Sequence, residues 1–205
     1  IMGLFLALAL CLAAVATGFQ ELPPEEDPRF FPWQDVKHMT SIRERLYVVS
    51  RNYNITTPNR CHSAIKTAAP RHDLVIVALR THSGGLYGPP VEFKSPFLTS
   101  RTGMHKRDNA VTYRLHPSHH PVQRKLMYID EHRRCLILVE RVGYSGRGCQ
   151  LLMTVSALDY PPPRTCVHLY RYYCPGPKVT LYHPGCKFYD AFIDQNAISG
   201  GFIRH

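Results

Sequence analysis

Residues 135–186 read CLILVERVGYSGRGCQLLMTVSALDYPPPRTCVHLYRYYCPGPKVTLYHPGC. The first two runs, CLILVERV (135–142) and CQLLMTVS (149–156), are aliphatic and β-branched, and a glycine-bearing turn (143–148) joins them, which predicts two consecutive strands. Alternation separates Cys135, Ile137 and Val139 from Leu136, Leu138 and Glu140. In the second strand it separates Cys149, Leu151 and Met153 from Gln150, Leu152 and Thr154. Pro161-Pro162-Pro163 then stops the chain and suits a helix start. RTCVHLYRYYC (164–174) places Cys166, Leu169, Tyr170 and Tyr173 at spacings of three and four, which predicts a helix. Pro175-Gly176-Pro177 ends it, and KVTLYH (178–183) reads as a candidate ninth strand.

The same strand character extends upstream. RLYVVSRNY (45–53), CHSAIKTA (61–68), LVIVALRTH (74–82), VEFKSPFL (91–98), AVTYRLH (110–116) and VQRKLMYID (122–130) bring the strands to eight. Turns rich in Gly, Pro and Ser separate them, as at 83–85, 88–90 and 117–121. In AVTYRLH, Val111, Tyr113 and Leu115 share a face, so Arg114 faces solvent. Ahead of the strands, WQDVKHMTSIRER carries apolar residues near helical spacing, which predicts a short helix at about 33–43. Eight strands followed by one helix is the order of a lipocalin-type barrel, a fold just wide enough to hold one small ligand. No internal repeat interrupts it. The expected fold class is all-β: an eight-stranded antiparallel barrel with a short N-terminal helix and one C-terminal helix packed outside.

Composition and the chain start set the compartment. At 205 residues, 44% apolar and 20% charged, the chain suits one ordinary core and is neither a disordered tail nor a coiled coil. Met2–Val15 is an uncharged apolar run followed by the small residues Ala14, Ala16 and Gly18, too short for a transmembrane helix and suited to a secretory signal. Ile1 ahead of Met2 reads as translated frame rather than a native start. The predicted organisation is a cleaved signal at 1–18, an acidic leader at 19–31, the barrel at 32–187 and a tail at 188–205. Cleavage removes Cys11 and leaves Cys61, Cys135, Cys149, Cys166, Cys174 and Cys186. An even count in a secreted chain is a disulfide framework with fifteen pairings. Asn54-Ile55-Thr56 is an N-glycosylation sequon.

The cysteine frame of 135–186, with the Trp-led segment Trp33-Gln34-Asp35-Val36, the Tyr-bearing strand 45–53 and Cys61, resembles the tick salivary lipocalins of the histamine-binding-protein family. The likeness spans about 32–187; residues 70–130 match only in strand character. It implies the pairs Cys61–Cys186, Cys135–Cys166 and Cys149–Cys174. Alternation agrees with the last two, because a cysteine bonded to an outside helix must point out of the barrel. Leu136, Leu138, Glu140, Gln150, Leu152 and Thr154 then point in. Bridges closing loops of this size each contribute about 3–5 kcal/mol in the chain-entropy picture.

The resemblance also bears on the ligand. Amine-binding relatives carry an Asp directly after the first late-strand cysteine and Glu-Leu-Trp or Glu-Leu-Tyr after the next. Here those positions hold Leu136, Gln150 and Leu152, so the carboxylates that would pair with a buried ammonium are missing. Glu140 falls on the inward face, but a single acid near a strand end is more often a rim residue. From Arg45 onward 22 Lys+Arg face nine Asp+Glu. A mouth ringed by Arg and His favours an amphipathic anion, a fatty acid or leukotriene, with its tail on Leu136, Leu138 and Leu152 and Tyr113 in the wall.

The expected function is therefore sequestration of a small host mediator by a secreted monomer, a lipid mediator ahead of histamine or serotonin, dampening inflammation or haemostasis. The alternative is a barrel whose loops (83–90, 117–121) block a host plasma protein of complement or coagulation. No G-x-S-x-G, H-E-x-x-H or phosphate loop occurs, and bridged cysteines offer no thiol nucleophile. No enzyme activity, metal or cofactor is expected. HPSHHP (His116, His119, His120) reads as a turn, no aromatic-basic interleaving marks a nucleic-acid face, and no membrane partner is expected.

Overall fold

The computed structural model describes residues 22–143 and 146–199; the apolar run with its signal and Cys11 lies outside them. Nine strands form one sheet: β1 (Leu46–Arg51), β2 (Arg60–Arg71), β3 (Leu74–His82), β4 (Pro90–Ser100), β5 (Ala110–Tyr113), β6 (Val122–Ile129), β7 (Cys135–Val142), β8 (Gly146–Thr154) and β9 (Val179–Thr180). Strands β2 to β8 pair in sequence order, all antiparallel, and β8 pairs with β1. Leu46 opposite Ala64 and Tyr47 opposite Ser63 join β1 to β2 and close the barrel. Each of the eight strands thus pairs with a neighbour on both sides over at least part of its length.

The β1–β2 seam is closed only at its base. Further along, the chain near β9 enters the gap: Leu181 N–H donates to Val49 O at 3.0 Å, and Cys61 N–H donates to Leu181 O at 2.9 Å. The candidate ninth strand is thus real but only two residues long, pairing Ser50 with Thr180 and Arg51 with Val179.

Alternation sorts the side chains into two cores. Val75, Val77, Phe97, Val111, Tyr113, Leu126, Leu136, Leu138 and Leu152 cluster inside the barrel. Cys135, Ile137, Val139, Cys149, Leu151 and Met153 face out and pack under helix α2 (Arg164–Tyr173) through Leu169 and Tyr170. Disulfides Cys135–Cys166 and Cys149–Cys174 fasten that helix at both ends.

One barrel end is stoppered by helix α1 (Val36–Thr40). It is shorter than the 33–43 expectation, because Asp35 caps it by accepting from Lys37 N–H at 2.9 Å, and Pro28–Trp33 forms a separate 3-10 turn. Val36, Met39 and Ile42 join the interior cluster. The acidic leader packs down as well: Glu25 accepts from Arg147 Nη2 at 2.6 Å, and Gln34 Nε2 donates to Pro24 O and Met127 O.

The larger difference lies at the other terminus. Residues assigned above to a tail continue as helix α3 (Pro184–Ser199), so two helices pack outside rather than one. Cys61–Cys186 ties its start to the barrel. Asp190 accepts from Tyr47 Oη at 2.7 Å and Arg80 Nη1 at 3.0 Å, with His82 Nε2 also 3.0 Å away. Asp194 accepts from Arg80 Nη2 at 2.6 Å and Arg45 Nη2 at 3.0 Å. A helix held by carboxylates carries a polar seam, which hides it from a reading of apolar periodicity.

Candidate functional site

The barrel encloses a cavity of about 690 Å³ that opens at the end opposite α1. Volumes of this order accommodate one small-molecule ligand in other proteins. Its walls alternate from the strands: Val48 from β1, Val77 and Leu79 from β3, Phe93 and Phe97 from β4, with Tyr113, Leu138 and Leu152 across from them. The rim is polar, made by the loop 54–59 and by His116 and His119. The His116 and His119 rings are 5.3 Å apart, and His116 Nδ1 pairs with Ser118 Oγ. No cluster able to hold a metal occurs among the described residues.

Of the residues singled out from sequence, Leu138, Gln150, Leu152 and Tyr113 line this cavity, whereas Leu136 and Glu140 do not. Leu136 is fully buried toward the stoppered end, in the cluster that holds Val36 and Met39. Glu140 turns aside into an ion pair, its Oε2 2.5 Å from Arg124 Nη2. Asn54 is exposed on the rim, with φ at 46° in a turn.

Two polar groups in the wall were missed. Arg51 is 5% exposed, and its buried Nε has no hydrogen-bond partner among the described residues, while Nη2 donates to Asn54 O at 3.2 Å. Simple alternation puts Arg51 outside with Tyr47. The ladder with β8 shifts register between Val48 and Ser50, however, which sends Ser50 out to Tyr170 and turns Arg51 in. Burial lowers the Arg51 pKa against the pull of neighbouring Tyr53 and Glu140. His62, inward on β2 between outward Cys61 and Ser63, has a buried Nε2 without a partner. Burial, then the charges of Arg51 and Arg60, push its pKa down to about 4, so it is neutral at neutral pH. No sequence signal marks the bulge, but His62 was open to reading from the Cys61 alternation.

The acids near the cavity are already engaged. Glu44 accepts from Ser156 N–H and Oγ at 2.9 and 3.0 Å. Glu140 is neutralised by Arg124. The wall therefore offers apolar surface, the Arg51 guanidinium beside an Arg80 already paired with Glu92, Asp190 and Asp194, the neutral His62 imidazole and the Gln150 amide, whose Nε2 donates to Tyr53 Oη.

Comparison with known proteins places this geometry. A sequence profile described as tick histamine binding protein matches residues 24–188. The chain belongs to that family. Its members are binding lipocalins rather than enzymes, and this chain is a lipocalin-type binder of small molecules. Among solved structures, Japanin from Rhipicephalus appendiculatus bound to cholesterol aligns with a TM-score of 0.52 and 15% identity, covering 69% of this chain and 95% of Japanin. The serotonin complex of AM182 aligns with a TM-score of 0.51 and 9% identity, covering 70% of this chain and 85% of AM182. At these identities the likeness is one of fold. A search of curated protein sequences finds no significant match. Among the described residues no helix is long and apolar enough to cross a membrane.

Proposed function

We propose that this family member is a secreted, N-glycosylated monomer that sequesters an amphipathic lipid carboxylate, a fatty acid or leukotriene, inside the barrel. The observation that carries the reading is Arg51: a buried cation with an unpartnered Nε, facing a cavity whose other walls are largely apolar. A desolvated guanidinium is stabilised by a carboxylate through charge-assisted hydrogen bonds. An acyl chain would lie along Leu138, Leu152 and Phe97, while Leu136 and Glu140 serve the barrel rather than the ligand. The same wall favours histamine and serotonin less: the acid among its lining residues, Glu44, is already oriented by the Ser156 N–H and hydroxyl, and Glu140 is paired with Arg124. Japanin's cholesterol and AM182's serotonin support a barrel ligand in this fold without selecting the class.

Titration calorimetry of the refolded, oxidised protein with leukotriene B4, arachidonate, histamine and serotonin tests the reading. One-to-one submicromolar binding of a lipid is expected, weakened about 10- to 100-fold by Arg51→Gln. Tight binding of either amine with no response to lipids overturns it. Silence toward all four ligands, with three disulfides intact, transfers the function to a plasma-protein target on the loops.

A further inference from the structure

Behind Tyr113 lies an arrangement the lipid reading does not use. Arg124 enters from β6 and is 1% exposed, among the largest fully buried side chains of the protein. Its Nη2 is 2.5 Å from Glu140 Oε2 on the neighbouring strand β7. Its Cζ sits 4.3 Å from the centroid of the Tyr113 ring. The other face of that ring stacks on Phe97 at 3.8 Å, so Tyr113 is held between an aromatic and a cation. The Tyr53 phenol, which accepts from Gln150 Nε2, lies near enough that the charges of Glu140 and Arg124 act on it. Arg124 Nη1 donates weakly to Val122 O at 3.4 Å; its Nε has no hydrogen-bond partner among the described residues, nor does Glu140 Oε2, so the pair is held by charge. Gly148, opposite Glu140 on β8, leaves the room: a Cβ there would lie 3.0 Å from Tyr53 Cδ1 and 3.2 Å from Glu140 Cγ.

One carboxylate, one aromatic face and one phenol around a desolvated centre are what a bound organic cation requires. Here the centre is the protein's own guanidinium. Stability alone is a poor account of it, because a buried Arg–carboxylate pair is commonly no more stabilising than apolar residues of like volume. The pair has a second consequence. It neutralises the one inward carboxylate near Gln150 and covers the outer face of a tyrosine that also walls the cavity.

We propose that Arg124, Glu140, Tyr113 and Tyr53 form a cation site occupied from within, and that Arg124 is the residue that sets this barrel against ammonium ligands. Truncating it vacates the site next to the cavity wall and leaves Glu140 and the Tyr113 face to receive a small organic cation. The inference rests on the lipid reading only in taking the natural ligand not to be an amine.

The test is Arg124→Ala, assayed by calorimetry and thermal melting with histamine, serotonin and millimolar guanidinium. Histamine is expected to bind the variant at least about tenfold more tightly than the wild type, and both histamine and guanidinium to raise its melting temperature. The gain should vanish in Arg124→Ala/Glu140→Gln, which removes the carboxylate as well. A folded variant that binds amines no better than wild type overturns the proposal, as does a gain that survives Glu140→Gln. Should the buried Glu140 prevent Arg124→Ala from folding, refolding yield becomes the readout. Histamine or guanidinium should then restore it, and failure of both to do so overturns the proposal.

The two readings fail separately. Wild-type protein that binds arachidonate while Arg124→Ala gains no amine affinity overturns the internal cation site alone. A variant that gains histamine while the wild type ignores every lipid overturns the lipid reading alone.

Discussion

Helices α2 and α3 both lie on the outside of the barrel, both are tied to it by disulfides, and they are held by opposite chemistry. α2 turns Leu169 and Tyr170 onto Ile137, Leu151 and Met153, and two bridges fix its ends. α3 has one bridge at its start and turns Asp190 and Asp194 inward to Arg80, Arg45 and Tyr47, while Phe188 and Phe192 stay 68% and 59% exposed. The first is an ordinary amphipathic helix. In the second the acids are inside and two phenylalanines outside, with Tyr189 edge-on to His82, so its docking depends on charges that must find partners in place.

That contrast orders the expected losses. Removing Cys61–Cys186 by double alanine replacement should cost about 4–5 kcal/mol in urea unfolding, against about 3–4 kcal/mol for Cys149–Cys174, since the sequence separations are 125 and 25. The reverse order would show that native packing, not chain entropy, governs the bridges. Asp190→Asn removes the charge that Arg80 Nη1 and Tyr47 Oη meet, while Arg80 keeps Asp194 and Glu92, and should cost about 2–3 kcal/mol, with amide protection lost across α3 and retained in α2. Leu169→Ala should cost about 2 kcal/mol and loosen α2 alone.

The smallest effect is an acid one. Burial alone would raise the Asp194 carboxyl, but the Arg80 hydrogen bond and the charges of Arg45 and Arg80 outweigh it and hold the pKa below the ordinary 3.8. A depressed carboxyl contributes its stability above the unfolded value and loses it as pH falls through the folded one. Protection of α3 should therefore stay level from pH 7 to about 4 and decline below it, α2 changing less. Hydrogen exchange corrected for intrinsic rates reads this directly. Equal decline in both helices would dissolve the distinction between them.

What was legible in the sequence follows the same division. Strand alternation and cysteine spacing found the barrel, the facing of Leu138, Gln150, Leu152 and Tyr113, and helix α2, because each is an apolar pattern on a regular period. Arg51 escaped because a one-residue bulge reverses alternation without changing composition. Helix α3 escaped because its buried face is acidic. Glu140, weighed as inward or as a rim residue, is held by Arg124, a partner on another strand that alternation along one strand does not show. Arg124 shares a face with Leu126 in VQRKLM, a charge among apolar neighbours, and that misplaced charge was the available signal.

The strip around Leu181 changes how the whole vessel is proportioned. Strands β1 and β2 touch at only two residue pairs near the base, and above them the chain running through Leu181 acts as a spacer that holds the staves apart. Circumference therefore widens from base to lip, and the width of the lip is set by a segment that contributes no strand to the closed ring of eight. Leu181 is the stitch, its N–H serving Val49 on one side and its carbonyl serving Cys61 on the other. The barrel is thus shut by direct pairing at one end and by a borrowed length of its own chain at the other.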